Sequence, residues 1–151
     1  MLNMERAGAA RDMLYERIQT ATAHLVVIGL GYVGLPVAAR FAQVGFKVTG
    51  LDVDVAKVKM INAGVCPIEG EEPGLDELLD EVVAAGRLQA STDYAVCAQA
   101  DVMLIAVETP IDSVKEPRYR ALRAALRALE PHLAVGLAQS EDATQPQRDS
   151  T

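Results

Sequence analysis

Three glycines and one aspartate near the start of the chain have the types and the spacing of a phosphate-binding site. Gly29, Gly31 and Gly34 form a GxGxxG pattern within the run VIGLGYVGLP, residues 27–36, and Asp52 follows the next apolar segment. The pattern is specific when it follows a buried strand and opens a helix, because free N–H groups and the positive end of the helix dipole then face a phosphate. The sequence therefore predicts a dinucleotide site.

Each residue of this pattern has its own expected task. Gly29 would allow a tight turn, Gly31 would leave room for a pyrophosphate, and Gly34 would let the helix pack closely on the strand. The Asp52 carboxylate would accept hydrogen bonds from the adenosine ribose and repel the additional phosphate of NADP, which favours NAD. An FAD protein would share the pattern, and a methyltransferase more often has a looser one. Alternatively, the glycines only form a turn and Asp52 caps the following helix; Asp54 could be that cap instead, which would leave the ribose role of Asp52 intact.

The segments that position this site alternate between strands and helices. The predicted strands are 25–28, 46–51, 88–90 and 102–107, and the predicted helices are 31–45, 55–63, 76–85, 93–99 and 118–133. Alternation of this kind is typical of a parallel sheet, and all-apolar strands are typical of burial on both faces. We predict an incomplete, Rossmann-like, doubly wound α/β fold with about four strands in the order 3-2-1-4.

Three parts of the chain differ in pattern. Residues 1–23 are predicted to hold an amphipathic helix, at about 3–22, and residues 24–136 are predicted to form the NAD-binding Rossmann domain. Residues 137–151 are polar, with no large apolar residue beyond Leu137. Because such a segment can bury little, we predict a disordered tail.

Composition narrows the possible functions. The chain has 151 residues, half of them hydrophobic, and a formal net charge of −7. That charge argues against nucleic-acid binding, which needs a basic patch. Cys66 and Cys97 are expected to be reduced and buried, and the isolated His24 and His132 predict no metal site. Apolar runs such as VMLIAV are too short for a membrane span and the N-terminus is charged, so we expect a soluble, cytoplasmic protein.

Several further segments resemble the N-terminal domain of the nucleotide-sugar dehydrogenases, the UDP-glucose and GDP-mannose dehydrogenase family. They are VIGLGYVGLPVAARFAQVGFKVTGLDVD at 27–54, NAG at 62–64, EPGLDELL at 72–79, GRLQASTDY at 86–94 and AVETP at 106–110. The resemblance covers about residues 24–135. KEP at 115–117 and the leading helix resemble the branch that oxidises UDP-N-acetylmannosamine and UDP-N-acetylglucosamine at C6.

The resemblance implies a function and a set of cofactor contacts. The family oxidises the C6 alcohol of a sugar nucleotide to a carboxylate in two NAD-dependent steps, and the products enter surface polysaccharides. The implied contacts are Gly29, Tyr32, Val33 and Gly34 at the pyrophosphate, Asp52 at the adenosine ribose with Lys57 nearby, and Thr109 near the nicotinamide ribose. Three of these have simpler interpretations: Tyr32 could only pack on the loop, Lys57 could lie on a solvated helix face, and Thr109 with Pro110 could only end a strand. Glu72–Leu75 is interpreted as a turn that starts the next helix.

Two departures from the family pattern limit these expectations. Glu108 stands where the family usually has a small or uncharged residue, and an acid there would weaken cofactor binding unless it points to solvent. The catalytic cysteine, the catalytic lysine, the sugar pocket and a fifth strand are missing, as in a truncated or frameshifted gene or in a genuine short protein with a polar tail. We therefore expect a cofactor-binding half, inactive alone, whose exposed fourth strand could self-associate. The alternative is a stand-alone nucleotide-binding or redox-sensing module that acts through a partner.

Overall fold

The computed structural model describes residues 2–69, 73–111 and 118–141. In chain order, its elements are α1 (Leu2–Gln19), β1 (His24–Ile28), α2 (Gly34–Val44), β2 (Lys47–Leu51), α3 (Val55–Asn62), α4 (Leu75–Ala84), β3 (Leu88–Ser91), a 3₁₀ helix (Tyr94–Gln99), β4 (Val102–Ile105) and α5 (Arg120–Glu141). Every predicted strand and helix in this part of the chain is present, with shifts of a few residues at the ends.

The strands form one parallel sheet in the order β3-β2-β1-β4, which confirms the predicted Rossmann-like topology. In its register, Ile28 pairs with Leu51 on one side and with Ile105 on the other. The carboxyl ends of β1, β2 and β4 therefore lie together at one edge of the sheet. In open α/β sheets, ligands bind outside this edge, where the strand order reverses.

Alternate residues of β1 supply two cores, one on each face of the sheet. Leu25 and Val27 belong to the larger cluster, which is covered by α2 and α4. Val26 and Ile28 face the other way and pack with buried Cys97 and with residues of α5. Both clusters are mainly aliphatic, as expected from a chain with two phenylalanines and no tryptophan. The all-apolar pattern of β1 thus correctly predicted a strand that is buried on both faces of the sheet.

The fourth strand differs from its prediction. We expected residues 102–107 to form a buried strand, but β4 ends at Ile105 and its residues are only half-buried or exposed. Ile105 is 39% exposed. The reason is topological, since β4 lies at the edge of the sheet and has a described neighbour on one side only.

Both terminal helices also differ from the predicted bounds. Helix α1 ends at Gln19 and is held by Arg17, whose Nη1 lies 2.6 Å from Oδ1 of Asp101 just before β4. Helix α5 continues to Glu141, so it includes the first residues of the predicted polar tail, whose remainder at 142–151 lies outside the described residues. No helix in the described ranges is long and apolar enough to cross a membrane.

The two cysteines are unpaired, as predicted, but only one is buried. Cys97 is buried in the smaller core, and burial raises the pKa of its thiol. Cys66 is half-buried, because it lies in the loop after α3 and packs against the larger core from its margin. Burial disfavours the thiolate form of Cys97.

Candidate dinucleotide-binding site

The glycine loop lies between β1 and α2, and two of its glycines are required by close packing. Gly29 has a φ of +95°, in the left-handed region, and a Cβ there would lie 2.7 Å from the carbonyl oxygen of Ala106. A Cβ on Gly34 would collide with the carbonyl oxygen of Gly29. The predicted tight turn and close helix packing are therefore both present.

Gly31 differs from the other two because space lies in front of it. The nearest atom to a Cβ built on Gly31 is Oε1 of Glu108, at 3.9 Å. At the adjoining end of α2, the N–H groups of Tyr32, Val33 and Gly34 bond to no acceptor in the part of the chain that the structure describes. Free N–H groups at a helix N-terminus, beside a residue with no side chain, are suited to an anionic group.

A cleft of about 550 Å³ opens at this edge of the sheet. It is lined by Gly29, Leu30, Gly31, Asp52, Val53, Lys57, Tyr94, Ala106, Val107, Glu108, Ala121, Ala124, Ala125 and Ala128. The lining comes from the ends of β1, β2 and β4, from α3 and the 3₁₀ helix, and from one face of α5. Most of the lining is apolar, with a few polar groups, as in a site that encloses a nucleotide.

Asp52 is the most constrained polar group in the cleft. Its Oδ2 accepts the N–H of Leu30 at 3.0 Å and lies 3.0 Å from Nζ of Lys57, while its Oδ1 accepts the N–H of Asp54 at 3.0 Å. Only 9% of its side chain is exposed. Burial raises the pKa of Asp52, but the bonds from Asp54, Leu30 and Lys57 outweigh it, so the pKa is lowered overall. The carboxylate is therefore ionised and acts as an acceptor at neutral pH.

Asp54, and not Asp52, caps helix α3. Oδ1 of Asp54 accepts the N–H groups of Ala56 and Lys57, at 2.9 and 3.2 Å, and so caps α3. Asp52 is thereby left to face the cleft. Lys57, which we also considered as a solvated residue, instead turns its ammonium group towards Asp52 and lines the same cleft.

Four of the predicted contacts do not line the cleft in this structure, namely Tyr32, Val33, Gly34 and Thr109. Tyr32 and Val33 are each 66% exposed, and the Tyr32 hydroxyl donates to the carbonyl oxygen of Glu69 at 3.0 Å. Tyr32 therefore packs along the neighbouring loop, as its simpler interpretation had it. Thr109 is exposed beyond the end of β4. The roles of these four residues towards a cofactor stay predictions.

Other predicted features have mixed outcomes. Gly74 is the N-terminal cap of α4 with a φ of +79°, so the segment around it is a turn that starts a helix, although Glu72 lies outside the described residues. KEP at 115–117 also lies outside them. Glu108 is exposed but does line the cleft, close to Gly31.

The sequence interpretation missed the opposite wall of the cleft. Tyr94 lies in it, and burial, together with the charges of Cys97 and Asp52, raises the pKa of its hydroxyl. Four alanines of α5, at 121, 124, 125 and 128, complete the wall. Their spacing places them on one helical face, a signal that the sequence did contain. Within the described ranges, no group of His, Cys, Asp and Glu side chains could hold a metal ion.

Comparison with known proteins places this site in a family. Residues 23–147 match the family model described as the UDP-glucose/GDP-mannose dehydrogenase family, NAD binding domain. The chain is 37% identical over 111 residues to UDP-glucose 6-dehydrogenase YwqF of Bacillus subtilis, covering 73% of this chain and 25% of that protein. It is 43% identical over 110 residues to UDP-N-acetyl-D-mannosamine dehydrogenase of Yersinia pestis, with the same coverage of both chains.

Solved structures agree with this placement. An NDP-N-acetyl-D-galactosaminuronic acid dehydrogenase from Methanosarcina mazei superposes with a TM-score of 0.71 at 33% identity, over 82% of this chain and 27% of that one. GDP-mannose dehydrogenase from Pseudomonas aeruginosa, solved as a ternary complex, gives 0.65 at 33% identity, over 70% and 24%. The chain thus spans about a quarter of the length of these relatives. It belongs to the UDP-glucose/GDP-mannose dehydrogenase family, of which it is the NAD-binding domain.

Proposed function

We propose that this domain supplies the NAD site of a nucleotide-sugar 6-dehydrogenase. Such an enzyme oxidises the C6 alcohol of a UDP-sugar to the uronate for surface polysaccharide synthesis. The observation that carries the proposal is one cleft lined by both the open Gly31 and the ionised Asp52, with the free N–H groups at the start of α2 directly after Gly31. The family match over residues 23–147 supports it.

The residues of the cleft suggest how the cofactor would be held. The pyrophosphate would lie over Gly31 and accept hydrogen bonds from the free N–H groups of the loop. The adenosine ribose would donate to Oδ1 of Asp52, which has one bond in the structure, whereas Oδ2 has two partners. Lys57 would hold this carboxylate in place, and Thr109 would reach the nicotinamide ribose. When bound, NAD supplies the hydride acceptor of the oxidation.

Substrate and catalysis would come from the remainder of a full-length enzyme. We propose a UDP-N-acetyl-hexosamine as the substrate class, which the similarity to a UDP-N-acetyl-D-mannosamine dehydrogenase supports. Covalent oxidation of the aldehyde, as the family resemblance implies, needs an activated thiolate, and neither Cys66 nor Cys97 lines the cleft. We therefore propose that this chain binds NAD but does not oxidise sugar nucleotides by itself. We place the enzyme in the cytoplasm, which the two unpaired cysteines support.

Calorimetric titration tests the cofactor site. Wild-type chain should bind NAD⁺ and not NADP⁺, and Asp52→Ala should weaken NAD⁺ binding roughly tenfold or more, because the ribose loses a charged acceptor. Asp54→Ala is the matched control, since it removes an acid two positions away that caps α3 outside the cleft. Equal losses in both variants would argue against the ribose role. NADH production from NAD⁺ and a UDP-sugar by the isolated chain would contradict the proposal that this chain binds NAD but does not oxidise sugar nucleotides by itself.

We also propose that copies of the isolated chain associate through β4. This strand is at the edge of the sheet and is formed by the apolar residues Val102–Ile105, a combination that favours pairing with another strand. Sedimentation velocity should show concentration-dependent association that Ile105→Lys reduces. Val44→Lys is the control, because Val44 is exposed on α2, away from this edge. A chain that stays monomeric at all concentrations would rule this association out.

A further inference from the structure

Glu108 is the one uncompensated charge in the described lining of the cleft. The lining contains three charged side chains, Asp52, Lys57 and Glu108. Asp52 and Lys57 lie 3.0 Å apart and neutralise each other. In the described part of the chain, no donor bonds to the Glu108 carboxylate, whose residue is exposed to solvent. The cleft therefore presents a net negative charge on the side where Glu108 lies.

The strand order determines on which side of the glycine loop Glu108 lies. Strands β2 and β4 flank β1, so Asp52 after β2 and Glu108 after β4 lie on opposite sides of the glycine loop after β1. A dinucleotide crosses such an edge with its pyrophosphate over the glycine loop. When the adenosine ribose binds at Asp52, the nicotinamide half of the dinucleotide must lie on the Glu108 side of the glycine loop. This step rests on the proposed NAD site.

We infer that Glu108 makes the cleft discriminate between the oxidised and the reduced cofactor. NAD⁺ and NADH share the two negative charges of the pyrophosphate, which the carboxylate near Gly31 repels in both. Only the nicotinamide ring of NAD⁺ carries a positive charge, which the same carboxylate attracts. Glu108 therefore weakens the binding of NADH more than that of NAD⁺, and it favours release of the cofactor once it has been reduced.

The expected effect is moderate because Glu108 is exposed. A single charge acting over several ångströms through a partly aqueous medium should change the ratio of the two dissociation constants about three- to tenfold. The effect should be larger at about 0.02 M salt than at about 0.3 M salt, because exposed charges are screened. A steric effect of the side chain would not depend on salt in this way.

The test compares wild type with Glu108→Gln, which keeps the shape of the side chain and removes its charge. Dissociation constants would be measured for NAD⁺, NADH, ADP-ribose and adenosine by calorimetry at both salt concentrations. ADP-ribose has the pyrophosphate without the ring, and adenosine has neither. Glu81→Gln is the control for a general loss of negative charge, because Glu81 is exposed on α4 away from the cleft.

Glu108→Gln should tighten NADH and ADP-ribose more than NAD⁺, leave adenosine unchanged, and lower the ratio of Kd for NADH to Kd for NAD⁺ about three- to tenfold at low salt. Glu81→Gln should leave that ratio unchanged. If wild type and Glu108→Gln bind both cofactors with the same ratio, the inference is wrong while the NAD site stands. If neither folded protein binds adenosine, NAD⁺ or NADH, both the site and the inference are overturned.

Discussion

The ammonium group of Lys57 lies 3.0 Å from Oδ2 of Asp52, the same oxygen that accepts the N–H of Leu30 in the glycine loop. One carboxylate thereby joins the loop after β1, the end of β2 and the first turn of α3. The pair is also largely removed from solvent, with 27% of the Lys57 side chain and 9% of the Asp52 side chain exposed. The residue proposed to bind the adenosine ribose thus also has a structural role, and its substitution should affect both stability and binding.

This arrangement predicts a pH-dependent cost of Asp52→Asn. The pKa of Asp52 is lowered from its ordinary value of 3.8, so the carboxylate contributes stability above pH 3.8 that is lost as pH falls through the folded-state pKa. At pH 7 the variant should lose about 1–3 kcal/mol, because Lys57 and two N–H groups lose a charged partner. Urea unfolding of both proteins between pH 7 and about pH 2 should show a difference that is constant above pH 3.8 and shrinks as pH falls through the folded-state pKa of Asp52. A constant difference across that range would contradict this role.

Two glycines of the loop should respond differently to the same substitution. Gly34→Ala places a methyl group on the Gly29 carbonyl oxygen and should cost more than about 3 kcal/mol or prevent folding. Gly31→Ala meets open space, and its φ lies outside the left-handed region, so stability should change by about 1 kcal/mol or less. The new methyl group nevertheless occupies the expected path of the pyrophosphate. NAD⁺ affinity should fall at least about tenfold in Gly31→Ala.

Thermal unfolding and calorimetry of the two variants separate the structural from the binding role. Gly8→Ala in α1 is a suitable control, because nothing lies within 4 Å of a Cβ at that position. If Gly31→Ala binds NAD⁺ as wild type does, the pyrophosphate does not pass over Gly31.

The sequence predicted what depends on local pattern. The turn at Gly29, the close packing at Gly34 and the position of Asp52 follow from apolar periodicity and from a motif whose residues are near in sequence. The strand order follows from the doubly wound fold class that these local patterns indicate. The sequence did predict that the fourth strand lies at an exposed edge, but it also predicted buried side chains there, because an apolar run looks the same in a central strand and in an edge strand.

Contacts between distant segments were beyond the sequence interpretation. Oδ2 of Asp101 accepts the N–H of His24 at 2.7 Å, and His24 in turn approaches Thr49 at 2.9 Å. These residues come together only because β1 lies between β2 and β4. Polar residues that look isolated in the sequence therefore form a hydrogen-bonded network in the folded protein.

Asn62 illustrates the same limit and gives a further prediction. Its side-chain amide donates to the carbonyl oxygen of Ala90 at 2.9 Å and accepts the N–H of Ala90 at 2.7 Å, as a neighbouring strand would. Because β3 is an edge strand, Asn62→Ala leaves both backbone groups of Ala90 without these partners. We expect a loss of about 2 kcal/mol in the free energy of unfolding. Gln43→Ala, at an exposed position of α2, is the control. Comparable losses in both variants would argue against a stabilising role for the two hydrogen bonds between Asn62 and Ala90.

The basic face of α5 should set the rate at which the cofactor arrives. Arg120, Arg123 and Arg127 line a hollow of about 470 Å³ that shares Ala124 with the cleft. An anionic cofactor approaching a protein of net charge −7 is repelled overall, so a local cationic rim should raise the association rate. Arg123→Glu should lower the association rate constant of NADH about three- to tenfold at low salt and change dissociation little.

Stopped-flow measurement of NADH fluorescence at several salt concentrations checks this expectation. Arg40→Glu makes the same charge change on α2, where Arg40 is exposed and does not line the cleft. Because steering acts over about a Debye length, the effect of Arg123→Glu should shrink as salt is added. Equal slowing by both variants would show that total charge governs the approach. Slowing that persists at high salt would mean that Arg123 contacts the bound cofactor directly.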